Sequence, residues 1–125
     1  MSSELLLYIG SVLIIIWGMA HIFPTKSMAD GFGAISMENR RILIMEWISE
    51  GLSLCFLGLL VILVTILGSG ENIVSVIVYR AVAGILIIMA ILTIFTGARS
   101  SIIPIKICPV VKTVSAILIF MGSLL

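Results

Sequence analysis

The feature that most constrains this chain is a series of long apolar stretches that carry almost no charge. Residues 51–68, GLSLCFLGLLVILVTILG, contain no Asp, Glu, Lys or Arg. A helix needs about 20 such residues to cross a hydrocarbon core roughly 30 Å thick. A water-soluble fold of 125 residues could not cover this much apolar surface, because 62% of the residues are hydrophobic and only 10% are charged. The sequence therefore predicts an all-α, integral membrane protein.

Four transmembrane helices are predicted within a single domain. The spans cover 5–23, 42–68, 73–96 and 110–125, and the longer connections are 24–41 and 97–109. Pro24 ends the first span, because the residue before a proline avoids the helical conformation, and Ser36 is a candidate cap for an extra turn before the second. The break at 69–72 predicts a tight turn between antiparallel neighbours. The last span is short for a crossing, unless its helix starts within the Ile-rich stretch before it. The predicted fold is an up-down four-helix bundle.

Positive charges predict the orientation of these spans. Six Lys or Arg residues lie in or beside the longer connections: Lys26, Arg40, Arg41, Arg99, Lys106 and Lys112. None lies at either terminus or at 69–72. Since cytoplasmic loops carry the excess of Lys and Arg, we expect both connections in the cytoplasm and both termini outside. The first span has no basic leading segment or cleavage pattern, so we expect it to be retained. The result is a multi-pass protein of a plasma or inner membrane.

Polar residues follow one face of the second span. They fall at i, i+3, i+4 and i+7 and are Glu46, Ser49, Glu50 and Ser53. Residues at this spacing share a side of a helix. Because an Asp, Lys or Arg at the centre of a membrane helix costs about 2.5 to 3.5 kcal/mol, and a glutamate should be comparable, we expect the stripe to face the protein interior.

The other helical faces are small, polar or both. The second span has a separate small face that would let another helix approach closely: Gly51, Cys55 and Gly58. The first span has one face made of Gly10, Ile14, Trp17, Gly18 and His21. In the third span Arg80 shares a face with Ala83, Gly84 and Ile87. The inward stripe of the fourth contains Lys112, Ser115, Ala116, Ile119, Gly122 and Ser123.

Depth along the helices predicts a site near the cytoplasmic side. Glu46 and Glu50 lie about one and two turns inside the boundary, and His21 reaches similar depth on the first span. Two glutamates one turn apart repel when both are ionised, so we expect one to be protonated or both to pair with cations. The candidate acid/base residues are Glu50, Glu46 and His21. The candidate ligand contacts are Trp17, Ser49, Ser53, Arg80 and Lys112.

A purely structural role for the same residues is the main alternative. Glu46 could pair with Arg41 or Lys112, and Glu50 with Arg80, to hold the helices in register. Arg80 lies in the outer half of its span, so only a long reach towards the centre would bring it to Glu50. His21 and Trp17 would then be interface and packing residues.

Several other chemistries lack support in the sequence. A single histidine and no Cys/His cluster argue against a tight metal site or bis-histidyl haem, so no cofactor is predicted. Cys55 and Cys108 differ in depth and form no CxxC pair, which argues against a disulfide or thiol-redox role. A net charge of +1 gives no reason to expect nucleic acid as a partner. The basic connections suit contact with the lipid bilayer.

The chain resembles a known family in layout. WGMAHIFP at 17–24 ends the first span, MEWISEGLSLCFLGLLVIL at 45–63 forms most of the second, and a tight turn and two further spans follow. This pattern, over most of the chain, resembles the small four-helix DoxX-like membrane proteins, although Glu50 and the segment NRR at 39–41 fall outside it. The resemblance implies a four-helix membrane bundle and an association with a membrane redox complex.

Three functions are compatible with these patterns. The first is a bundle that binds a lipophilic small molecule and carries out acid/base chemistry on it, with the two glutamates and His21 at the site. The second is a proton-coupled transporter or channel, acting as a homodimer because four short helices enclose little room for a pathway. The third is an accessory subunit of a membrane complex. We favour the first, because titratable groups converge on one inward face.

Overall fold

The computed structural model describes residues 2–68 and 72–125, and this part of the chain is helical with no strand. Its helices are α1 (Ser3–Ile22), α2 (Thr25–Asp30), α3 (Met37–Leu67), α4 (Ile73–Phe95) and α5 (Ile103–Leu124), with a short 3-10 turn at Gly97–Arg99. The short α2 lies within the predicted connection 24–41. The predicted tight turn at 69–72 lies mostly outside the described residues.

Four of the described helices are long and apolar enough to cross a membrane. They begin at Ser3, Met37, Ile73 and Ile103, and the mean hydropathy of their best windows runs from 1.9 to 2.4. Large apolar side chains cover their outer faces; Ile16, Phe56 and Ile88 are each about 60% exposed. Such a surface is stable only against hydrocarbon. The chain is thus a multi-pass membrane protein built from helices.

The helix α3 begins at the predicted cap. The Ser36 hydroxyl accepts a hydrogen bond from the Asn39 backbone N–H at 3.1 Å, satisfying one of the free donors of the first turn. The helix contains 31 residues, which corresponds to about 46 Å at 1.5 Å per residue. That length exceeds a hydrocarbon core of roughly 30 Å, so α3 is longer than a single perpendicular crossing requires.

The fourth long helix starts earlier than the predicted span. It begins at Ile103 rather than at 110 and runs through Pro109. Pro104 lies in the first turn, where the missing N–H would have no partner in any case. The alternative start within the Ile-rich stretch is therefore the one found, and the expected boundary at Pro109 is wrong because Pro109 lies inside the helix. Lys112 is therefore inside α5 and is not part of a basic connection.

Close approach of α1 and α3 depends on small residues. The α1–α3 interface is the most extensive, followed by α4–α5 and α1–α5, whereas α3 and α4 touch far less. A Cβ on Gly51 would lie 2.9 Å from the Gly18 carbonyl oxygen, and one on Gly58 would lie 2.6 Å from that of Ser11. The predicted small face of the second span is confirmed, and α1 is the helix that packs on it.

Substitution of Gly58 by valine is expected to destabilise the protein by about 1 to 3 kcal/mol, since overpacking forces two backbones apart. The added methyl groups would meet Ser11 and Ile14 of α1. Gly84→Val is the matched control, because a Cβ there has nothing within 4 Å. The free energy of unfolding in mixed micelles measures both. Equal stability of the two variants would contradict the role given to Gly58.

Buried side chains run through the centre of the bundle. The largest are Leu7, Ile14, Leu54, Tyr79, Leu86, Lys112 and Ile119, each at most 1% exposed. The Tyr79 hydroxyl bonds the Thr65 hydroxyl at 2.9 Å, which ties α4 to α3. The Thr65 hydroxyl also donates to the Val61 carbonyl at 2.7 Å, so neither buried hydroxyl is left without a partner.

The inward face of the third span differs from the predicted one. Its buried residues are Ser75, Tyr79, Val82, Ala83, Leu86 and Ala90, whereas Arg80 and Gly84 are exposed. The Arg80 Nε donates to the Ser123 hydroxyl at 3.3 Å, and the guanidinium lies 5.7 Å from the centre of the Phe120 ring. Arg80 therefore contacts the last turns of α5. The alternative pairing of Arg80 with Glu50 is not found among the described residues.

Candidate functional site

A buried ion pair joins α3 to α5. The Lys112 ammonium donates to Glu50 Oε1 and, at 3.2 Å, to the Thr93 hydroxyl of α4. The Lys112 side chain is fully buried, whereas that of Glu50 is 32% exposed. Two charges removed from water need each other and further hydrogen bonds, and Thr93 supplies one. Of the pairings considered from sequence, none joined Glu50 to Lys112.

His21 lies on the other side of Glu50. Its Nε2 is 3.3 Å from Glu50 Oε2, although the geometry is not that of a hydrogen bond, and this buried atom has no other partner among the described residues. Its ring stacks on Trp47, with 3.8 Å between ring centres and 18° between planes. The predicted proximity of His21 and Glu50 is confirmed.

The end of α1 holds His21 in place. The last carbonyls of a helix lack partners within the helix, and Pro24 has no N–H to offer them. The Trp47 indole N–H donates to the His21 carbonyl at 2.5 Å, and the Thr25 hydroxyl donates to the Ile22 carbonyl. Trp47 therefore contacts His21 twice, through its ring face and through its N–H.

Glu50, His21 and Trp47 border a cavity of about 730 Å³ between the helices. Its wall includes Trp17 and His21 from α1, residues of the first half of α3, the last turns of α4 and the first turns of α5. The lining residues are Trp17, Ala20, His21, Pro24, Glu46, Trp47, Ser49, Glu50, Ser53, Met89, Leu92, Thr93, Thr96, Gly97, Pro104, Ile105 and Cys108. Charged, aromatic and apolar side chains thus line one partly open cavity.

The cavity gathers most of the residues that the sequence singled out. All four members of the polar stripe line it, as do Trp17 and His21. Lys112 lies behind Glu50 and contributes through that carboxylate, while Arg80 is remote. Glu46 faces the cavity and forms no ion pair with any described residue, so the expected pairing with Arg41 or Lys112 is not found.

No protein-family model, curated protein or solved structure matches the chain. The functional interpretation therefore rests on the geometry of the cavity.

Three residues of the site were missed from sequence. Trp47 lies three residues before Glu50 and so shares its helical face, a signal that was present in the sequence but was not used. Thr93 is a lone hydroxyl near the end of an apolar helix. Cys108 accepts a hydrogen bond from the Trp17 indole at 3.2 Å, a contact that required α5 to begin before Pro109.

The cavity has few features of a metal or redox site. No group of three or more His, Cys, Asp or Glu side chains in residues 2–68 and 72–125 is arranged to hold a metal ion. Cys55 and Cys108 are both free thiols. The polar groups that face the cavity are carboxylates, an imidazole and hydroxyls, which bind by hydrogen bonding and transfer protons.

Proposed function

We propose that this protein binds a lipophilic small molecule within the membrane and that Glu50 and His21 carry out acid/base chemistry on it. The observation that carries the proposal is the cavity itself. A volume of about 730 Å³ falls within the roughly 300 to 1,000 Å³ typical of small-molecule sites. Its mixture of apolar walls with a few convergent polar groups is also typical of such sites.

The location of Glu50 supports this role. Ionisable side chains inside membrane helices are costly and generally mark a functional pathway or site. Glu50 has one oxygen held by Lys112 and the other near His21, and its side chain remains partly accessible from the cavity. A carboxylate and an imidazole bordering one cavity can exchange a proton with a ligand bound beside them.

We infer an antiparallel, up-down arrangement with the cavity towards the cytoplasm. The cavity is lined by the end of α1, the beginning of α3, the end of α4 and the beginning of α5. Without Lys112, five Lys or Arg residues remain in the connections and the adjoining helix turns at this end: Lys26, Arg40, Arg41, Arg99 and Lys106. By the positive-inside rule, this excess supports N-out and C-out termini.

Native mass spectrometry of gently purified protein tests the binding function. We expect a bound lipophile on the wild-type chain. Ala20→Phe should reduce its occupancy at least about tenfold, because the ring would fill space that Ala20 now leaves to the cavity. Met19→Phe is the matched control, since Met19 is 46% exposed and does not line the cavity.

The outcome that would contradict the proposal is specific. A protein that folds but carries no lipophile, or an Ala20→Phe variant with the same occupancy as Met19→Phe, would leave the cavity without a function. Glu50→Gln combined with Lys112→Met, which removes the buried ammonium together with the carboxylate, separates binding from chemistry. If Glu50 is the acid/base group, this variant should keep a bound molecule but lose turnover of it.

A further inference from the structure

The charge presented by the cavity is acidic. Glu46 and Glu50 both line it, and no Lys or Arg of residues 2–68 and 72–125 does. The Lys112 ammonium is fully buried and is held by Glu50 and Thr93. Its charge is therefore compensated within the protein, whereas the Glu46 carboxylate has no cation partner among the described residues. Charge complementarity favours a cationic group in the cavity over an anionic one.

A buried atom that makes no hydrogen bond, His21 Nε2 at 3.3 Å from Glu50 Oε2, points to the same chemistry. The His21 side chain is only 8% exposed, and its Nε2 makes no hydrogen bond with any described residue. Buried polar atoms are normally hydrogen-bonded. A ligand group with several N–H donors could satisfy His21 Nε2 and a carboxylate oxygen together.

The two tryptophans suit a cation as well. Trp17 and Trp47 both line the cavity, and the face of an indole ring attracts ammonium groups electrostatically. The His21 ring stacks on one face of Trp47. Trp17 takes no part in that stack.

An apolar groove continues from the cavity between α3 and α4. It has a volume of about 490 Å³ and is lined by Leu52, Ser53, Phe56, Leu57, Ile85 and Met89. Ser53 and Met89 also line the cavity. The groove and the cavity therefore adjoin, with polar groups at one end and hydrocarbon along the rest.

The groove opens sideways because α3 and α4 separate along this stretch. The helices are tied at Thr65 and Tyr79, but they make fewer contacts than the other long neighbouring pairs. Leu52 and Phe56 are 58% and 61% exposed, so no described helix covers them. Leu57 lies about 10 Å along the helix from Glu50, which is at hydrocarbon depth.

We propose that the ligand is a single-chain amphiphile with a protonated primary amine, which enters sideways from the bilayer between α3 and α4. The amine occupies the cavity near Glu46, Glu50 and His21, and the alkyl chain lies in the groove. This inference rests on the proposed binding function and specifies its ligand class and its route of entry.

Tetradecylamine and tetradecanoate, which share a chain length and differ in charge, test the head group. The chain has two tryptophans, and both line the cavity, so intrinsic fluorescence reports occupancy. In nanodiscs of zwitterionic phosphatidylcholine, we expect a saturable change with the amine and at least about tenfold weaker binding of the carboxylate. Glu46→Gln should weaken amine binding about tenfold, because one charge-assisted hydrogen bond to the amine is lost. Its thermal stability should be unchanged, because Glu46 has no described ion-pair partner.

A pair of substitutions on α4 tests the groove. Ile85 lines it and Ile88 does not; both side chains face outward, with 40% and 62% exposure. Ile85→Phe should weaken amine binding at least about tenfold, whereas Ile88→Phe should bind as the wild type does. Subunit number is measured on the same samples by native mass spectrometry.

The possible failures are distinguishable. If tetradecanoate binds as well as the amine, or Glu46→Gln binds the amine normally, the cationic head group is overturned while binding itself stands. If Ile85→Phe and Ile88→Phe behave alike, or if Ile85→Phe changes only the subunit number, the groove does not hold the chain. If neither amphiphile binds and no lipophile copurifies, the proposed function fails as well.

Discussion

Glu50→Gln is expected to destabilise the protein by about 3 to 5 kcal/mol, the usual cost of breaking a buried ion pair by removing one partner. The reason lies in the ammonium that remains. Lys112 is fully buried, and glutamine would keep a hydrogen-bond acceptor near it but supply no negative charge. The Thr93 hydroxyl, its other partner, is neutral. A charge left in this position cannot reach water without rearranging α5.

Lys112→Met should cost less, about 1 to 2 kcal/mol. The remaining Glu50 is 32% exposed and lines the cavity, so its carboxylate can be hydrated or accept a proton there. Methionine fills the space of the lysine stem. The double variant, Glu50→Gln with Lys112→Met, removes both charges and should be more stable than Glu50→Gln alone, because paired removal of buried charges is often close to neutral.

A double-mutant cycle on the free energy of unfolding measures this asymmetry. Glu46→Gln is the control on the same helix, since it changes a carboxylate that faces the same cavity and has no described ion-pair partner. Equal costs for Glu50→Gln and Lys112→Met, or additive effects in the double variant, would contradict an ion pair whose cation is the more deeply buried member.

Periodicity was sufficient to predict which residues form the polar face and which form the small face of α3. The i, i+3, i+4 and i+7 spacing of the polar stripe and the small face at Gly51, Cys55 and Gly58 are properties of one helix. Neither pattern depends on which helices lie beside α3. All four stripe residues line the cavity, and the small face packs on α1, because a helix in a membrane places its costly groups inward and its small groups against another backbone.

The partner of Glu50 could not be predicted in the same way. The choice between Arg80 and Lys112 depends on how helices distant in sequence are rotated and offset, and periodicity within one helix does not contain that information. Taking Pro109 as the boundary of the last span also placed Lys112 near the membrane surface. A lysine there is counted among the charges that set the orientation of the spans. In the structure it lies two turns inside α5, beyond the reach of water.

Trp47 was overlooked for a different reason. In a membrane sequence a tryptophan reads as an interface or packing residue, and its N–H has no visible partner. The partner is a backbone carbonyl at the end of α1, which is available because Pro24 follows. Only the packing of α3 on α1 brings the two together.

Trp47→Ala is expected to destabilise the protein by about 2 kcal/mol, from one lost hydrogen bond to the His21 carbonyl and one lost aromatic stack. The larger effect should be on the position of the His21 ring. Its ring is held by the stack at 3.8 Å and by no hydrogen bond from Nε2 among the described residues. Without Trp47 the imidazole can rotate away from Glu50, and any acid/base activity that needs both groups should fall at least about tenfold, since small misplacements at a site are costly.

Trp47→Phe is the informative companion, because phenylalanine keeps a ring for His21 to stack on and removes only the N–H. We expect it to lose about 1 kcal/mol of stability and to retain most of the activity. The nitrogen chemical shifts of His21, the chain's one histidine, report its protonation and surroundings by NMR. They should change strongly in Trp47→Ala and little in Trp47→Phe. If both variants shift His21 equally, the indole N–H positions the histidine, and the stack is incidental.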